Sequence, residues 1–255
     1  MAIAAAITAV AVAAAAVDFG VGIYAEYQLS RAVRRAAHLS SDPFVAILGF
    51  PFLTQARRDL YREVEIKAAD VEQPVIDKAM LEATMHSVDL AEASWRFRPG
   101  AQIPVARLES RVIIGSVRLG RFLGIRDLMV EAPLHPADDS TTESGISDSH
   151  ALVFTGTPAA LGKRVSVTVD LSLAGADQAT LVITPTGVVT GPDTADQPVA
   201  DDQLAAVLAA FGGSVPQQHL PFGLAPTSKG ARGSDVIIEG IADHQTITLA
   251  QFRQP

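Results

Sequence analysis

Residues Met1 to Val17 carry no charge and are almost entirely Ala, Val and Ile; the first charge is Asp18 and the first basic residue Arg31. A run this uniform has no polar face to turn towards water, so it does not suit a helix of a soluble core. It constrains the chain to begin with an export or membrane segment. About 20 apolar residues span a bilayer and a signal-peptide core is shorter; this run lies between the two. Ala14, Ala15 and Ala16 offer a small-x-small cleavage site. Residues 1–17 therefore read as a signal peptide, with the mature chain starting near Asp18, or as a retained N-terminal anchor. The basic residues that usually open a signal peptide are missing.

Helical periodicity continues past the apolar run. Phe19, Ile23 and Tyr27 are spaced by four, and Leu29, Ala32, Val33 and Ala36 extend the stripe. Arg34 and Arg35 suit a helix C-terminus, and Ser40 to Pro43 ends it. Beyond Pro43 the pattern turns to strands: Phe44 to Phe50, the alternation about Val64, Ile66 and Ala68, that of Leu81, Ala83 and Met85, then Leu108 to Ile114 and Asp127 to Ala132. Short helices fit Pro51 to Arg58 and Ser116 to Gly124. Val165 to Leu173 is the cleanest strand, followed by Thr180 to Thr184, which Pro185 should end. Asp201 or Asp202 should cap a helix running to Phe211, with Gly212 closing it. Val236 to Ile241 and Thr246 to Leu249 read as two last strands. Acidic loops fall near 133–149 and 187–202. Strands with one apolar and one polar face imply an antiparallel sheet solvated on one side. The long helix is the obvious cover, so the expected class is α+β, with residues 18–255 as one domain and a curved antiparallel sheet wrapped around the N-terminal helix.

Composition narrows the function. Hydrophobic residues are 48% and charged residues 19%, enough for a core and too few charges for a disordered chain. The absence of cysteine removes disulfides, thiolate metal sites and a thiol nucleophile. The net charge of −8 lies wholly after residue 131, with no basic footprint for nucleic acid. His38, His86, His135, His150, His219 and His244 are scattered without metal-ligand spacing, and neither a nucleophile elbow nor a phosphate loop occurs. No catalytic residue, metal ligand or cofactor is assigned. The carboxylate pairs Glu63–Glu65 and Asp138–Asp139 read as solvated charge.

Two motifs combine apolar side chains with arginines: Phe50-Pro51-Phe52-Leu53 before Arg57 and Arg58, and Arg118 and Arg121 beside Phe122 and Leu123. Such patches suit a surface that dips into lipid and meets phosphate, although core aromatics with solvated arginines give the same pattern.

Gly49-Phe50-Pro51-Phe52-Leu53-Thr54-Gln55, Val64-Glu65-Ile66, Leu119-Gly120-Arg121 with Gly124-Ile125, and Leu220-Pro221-Phe222-Gly223-Leu224 together resemble the actinobacterial mannan chain elongation factor family of LmeA-like envelope proteins, from about Asp18 to the C-terminus. The resemblance implies a fold similar to the tubular lipid-binding class and a place on the outer side of the plasma membrane. It also implies phospholipid binding, with phosphatidylinositol types as candidates. The implied role is to support mannan elongation in lipomannan and lipoarabinomannan beside a membrane mannosyltransferase, without enzymatic activity. On this reading acyl chains rest on the apolar inner face of the sheet, contacted by Tyr24, Tyr27, Phe44, Phe50, Phe52, Phe122 and Leu123. Arg57, Arg58, Arg118 and Arg121 meet the headgroup. A lipid-free scaffold for a glycosyltransferase, with a filled core, and an envelope hydrolase with a polar cleft are the alternatives.

Overall fold

A computed structural model describes residues 1–91, 100–134, 141–142, 144–147 and 149–253. Trp95, His135 and the Asp138–Asp139 pair lie outside the described residues. The protein is α+β, with a long N-terminal helix set against antiparallel sheet. Helix α1 runs without a break from Ala2 to Ala36. Up to Val17 its side chains are exposed almost throughout; further along, Leu29, Ala32, Val33 and Ala36 make the buried i, i+3, i+4, i+7 stripe. The other expected stripe, Phe19, Ile23 and Tyr27, faces outward.

The strands sort into two sheets, and neither closes on itself among the described residues. The first has the order β1 (Phe44–Leu48), β2 (Leu60–Gln73), β3 (Asp77–Asp89), β4 (Ile103–Gly115), β11 (Asp235–Ile247), β10 (Ser228–Arg232). The second runs β5 (Met129–Glu131), β6 (Leu152–Gly156), β7 (Val165–Ala174), β8 (Thr180–Val189), β9 (Gly213–Val215). All pairings are antiparallel. Alternation decides the faces of the first sheet. Tyr61, Val64, Ile66, Leu108, Val112, Ile114, Val236 and Ile238 join one buried core with α1 and with Phe154, Val167 and Leu171 of the second sheet. The opposite face carries a ladder of charge: Glu63, His86, Arg107, Glu109, Arg111 and Glu239. Buried Arg111 donates to Glu239 at 2.6 Å and to Glu109 at 2.8 Å. Burial alone would lower its pKa, but the hydrogen bond and charge of Glu239, then those of Glu109, raise it above the ordinary value.

Among the described residues three short α-helices accompany the sheets: α2 (Phe52–Arg58), α3 (Ser116–Leu123) and α4 (Asp201–Phe211). Several details depart from the sequence reading. Strand β8 continues through Pro185, which lies beside the register shift at Thr168/Val169, where a missing N–H is tolerated. The two expected C-terminal strands are one, β11. Helix α4 is N-capped by Ala200 with no side-chain bond; Asp201 and Asp202 sit in its first turn, and Gly212 follows with extended geometry rather than a left-handed cap. The Leu220–Leu224 motif forms a 3-10 turn at Pro221–Gly223 whose Phe222 meets Phe252 edge-on at 5.6 Å.

Candidate functional site

Between α1 and the first sheet the core packs closely around one small space. It is a void of about 10 Å³ lined by Leu29, Ile47, Tyr61, Val64, Met85, Val88, Leu90, Ile103 and Leu249. The sizeable apolar space lies elsewhere, between α1 and α2. Val21, Tyr24 and Ala25 of α1 face Leu53, Ala56 and Arg57 of α2 across a pocket of about 440 Å³, floored by Phe52 and Tyr61. Each helix contributes residues at i, i+3 and i+4, so each presents one face. The volume is within the range of about 300–1,000 Å³ usual for small-molecule sites.

The placement of α2 rests on polar contacts from both sides. Asp18, 5% exposed although it sits on a helix, accepts the N–H of Phe52 at 2.8 Å and that of Leu53 at 2.8 Å. These are free donors at the start of α2, where the N-cap is Pro51 and no local side chain serves. From the middle of the helix Gln55 donates to the Gly49 carbonyl at 2.7 Å and accepts the Arg62 N–H at 2.8 Å. Asp59 ends the helix in the left-handed conformation. Glu26 accepts the N–H of Ile47 at 2.9 Å, fixing α1 to the edge strand β1. Tyr61 is 3% exposed, and its ring lies 5.9 Å from that of Phe52. Burial, and secondarily the Asp59 charge, raises its pKa above the ordinary phenol value, so it is neutral at physiological pH.

An apolar surface surrounds the pocket. Phe19 and Phe50, each 61% exposed, stack with centroids 5.6 Å apart, and Ile23, Leu48, Leu53 and Leu60 are also exposed. This patch continues directly into the exposed apolar half of α1, whose most apolar 18-residue window has a mean hydropathy of 2.1 and meets the length and composition needed to cross a membrane. Arg57 and Arg58 are exposed and form no ion pair among the described residues.

The structure thus gathers part of the expected set. Tyr24, Phe52 and Arg57 line the pocket, Phe50 stacks on Phe19, and Arg58 is exposed at the end of α2. Tyr27 stands one turn further along α1, where Arg31 donates to its hydroxyl at 3.1 Å and lies over its ring. Phe44 is exposed at the far end of β1, opposite Lys67. The second motif lies at the other end of β2 from the pocket. Arg118 binds Asp77 at 2.5 Å and Asp70 at 2.7 Å, Arg121 is 3.7 Å from Asp77, and Phe122 and Leu123 are half-buried beside Gly213. Val21, Ala25, Ala56 and Tyr61 were not expected in a site. The paired i, i+3, i+4 spacing across the two helices marks the first three, whereas Tyr61, on β2, carries no such mark.

Residues 16–241 match the LmeA-like phospholipid-binding family, and the chain belongs to it. The match begins within two residues of Asp18, the first side chain of α1 to be buried in the fold. No curated protein and no solved structure matches the chain.

Proposed function

We propose that the protein is a phospholipid-binding accessory protein of the cell envelope, holding an acyl chain in the pocket between α1 and α2 with the headgroup phosphate at Arg57 and Arg58. The observation that carries this reading is the pocket itself: an apolar space of ligand size, opening among exposed aromatics next to a membrane-type helix, lined by Arg57, which has no ion pair among the described residues. Family membership supports the ligand class. Residues 18–255 act as one lipid-binding domain on the outer side of the plasma membrane, and residues 1–17 are its export segment or anchor. The likeness of the Gly49–Gln55 motif supports a role in mannan elongation for lipomannan and lipoarabinomannan, with phosphatidylinositol-type lipid as the ligand and a membrane mannosyltransferase as the partner. Chemistry on the sugar belongs to that partner.

The test is native mass spectrometry of the full chain released from its host membrane, with solvent extraction of bound lipid. One phospholipid per chain is expected. A bare protein that also takes up no added phospholipid contradicts the reading and leaves the lipid-free scaffold in its place.

A further inference from the structure

We propose that the Tyr61 side chain sets the length of acyl chain that the pocket accepts; this rests on the phospholipid-binding reading and adds a determinant of specificity to it. Tyr61 borders both apolar spaces. It is among the residues that line the 440 Å³ pocket and among those that line the void of about 10 Å³ beneath α1. It is the partition between the lipid site and the core of the first sheet.

The partition is fixed at its base and free at its tip. Its backbone belongs to the β2–β3 ladder, opposite Val88, so the Cβ cannot drift. Its ring is held by contact with Phe52, and its hydroxyl makes no hydrogen bond among the described residues. Turning or removing the ring therefore breaks packing without orphaning a polar partner. Behind it the walls are Leu29, Val64, Met85, Leu90 and Ile103. An entering hydrocarbon chain meets no group that must be desolvated, and the thioether of Met85 is the kind of flexible side chain that re-packs around a newcomer. With Tyr61 in place a chain ends at the ring. Without it, the pocket gains the space of the ring and joins the void beneath α1.

The experiment uses the full-length chain in amphipol and measures displacement of a fluorescent fatty-acyl probe by phosphatidylglycerols of increasing chain length. For the wild type, affinity should rise with length and then level off. Tyr61→Ala should move the plateau to longer chains, each newly buried methylene raising affinity by up to about fourfold, while Tyr61→Phe should keep the wild-type plateau. Tyr61→Leu, which leaves a smaller gap, covers the case in which the alanine variant does not fold, and should move the plateau by less. A folded Tyr61→Ala or Tyr61→Leu protein with the wild-type plateau overturns the role of Tyr61 alone. A wild-type chain that binds no phosphatidylglycerol of any length overturns the lipid-binding reading as well.

Discussion

Arg57 and Arg58 leave α2 into solvent beside an open apolar pocket, whereas Arg118, on α3, is held between Asp70 and Asp77 with its aromatic neighbour packed inward. The two motifs look alike as sequence: apolar residues with a pair of arginines within one or two turns. They lie at opposite ends of β2, whose run from Leu60 to Asp70 covers roughly 30 Å. The environment separates them. Next to α2 stands a helix whose outer side is apolar and unpartnered. Next to α3 stand two aspartates of the β2–β3 hairpin. An ion-paired guanidinium offers little to a phosphate unless the pair first breaks, while a free one beside an apolar pocket offers both halves of a phospholipid site.

The first way to break the comparison is to probe how tightly each end is packed. A Cβ added at Gly120 of α3 would overlap the Ile125 carbonyl oxygen, while at Gly20 of α1 nothing lies within 4 Å. Gly120→Ala should cost about 2–4 kcal/mol in denaturant unfolding. Gly20→Ala should be neutral or stabilise by up to about 1 kcal/mol through helix propensity. Equal losses at both sites would erase the contrast. Next is the pocket. Ala56→Trp should lower phospholipid affinity about tenfold or more, ~1.4 kcal/mol for each factor of ten, with Phe122→Leu leaving affinity unchanged in the same titration.

Asp18→Ala tests what holds α2. Loss of the two N–H acceptors should cost about 1–2 kcal/mol and speed hydrogen exchange at Phe52 and Leu53 before that of the β2–β4 core. Slow exchange at both amides would show that α2 stands without the Asp18 contact. For charge, reversing Arg57 and Arg58 to Glu should weaken binding to anionic vesicles several-fold at low salt and less at high salt. Reversing Arg118 and Arg121 should act mainly on stability; a larger vesicle effect from that second pair would move the headgroup site to α3. The smallest effect concerns Asp127, next to α3. Burial alone would raise its pKa, but hydrogen bonds from the Thr157 N–H and hydroxyl and from its own backbone, with the Arg164 charge, lower it. A lowered folded-state value means that its contribution is complete above the ordinary carboxylate range and is lost as pH falls through the lowered value. Asp127→Asn should flatten the stability curve below about pH 4 and leave lipid binding unchanged.

Much of this architecture was legible. Regular alternation marked β2, β3 and β7, and the spacing of Leu29, Ala32, Val33 and Ala36 marked the buried stripe of α1. Strand β6 was missed because Leu152 to Gly156 are all buried, the polar Thr155 included, so the run shows no period of two. Strand β10, Ser-Lys-Gly-Ala-Arg, has no apolar alternation; its register comes from pairing with β11. Of the residues that line the pocket, Tyr24, Phe52 and Arg57 stood out in the sequence, because their types suit lipid contact. Ala25 and Ala56 carry no such signal, because they matter for the room they leave. Tyr61 reads as an ordinary inward strand residue until the spaces on both of its sides are seen. Arg118 could not be told from Arg57, since its aspartate partners lie 48 and 41 residues earlier in the chain.

The most direct test places a photoreactive phospholipid, with a diazirine in its acyl chain, in anionic vesicles carrying the full-length protein, and maps the cross-links by peptide mass spectrometry. The account predicts adducts within Val21–Ala25 and Phe52–Tyr61. Adducts confined to the α3 segment around Phe122 and Leu123, or to the apolar half of α1 alone, would contradict it.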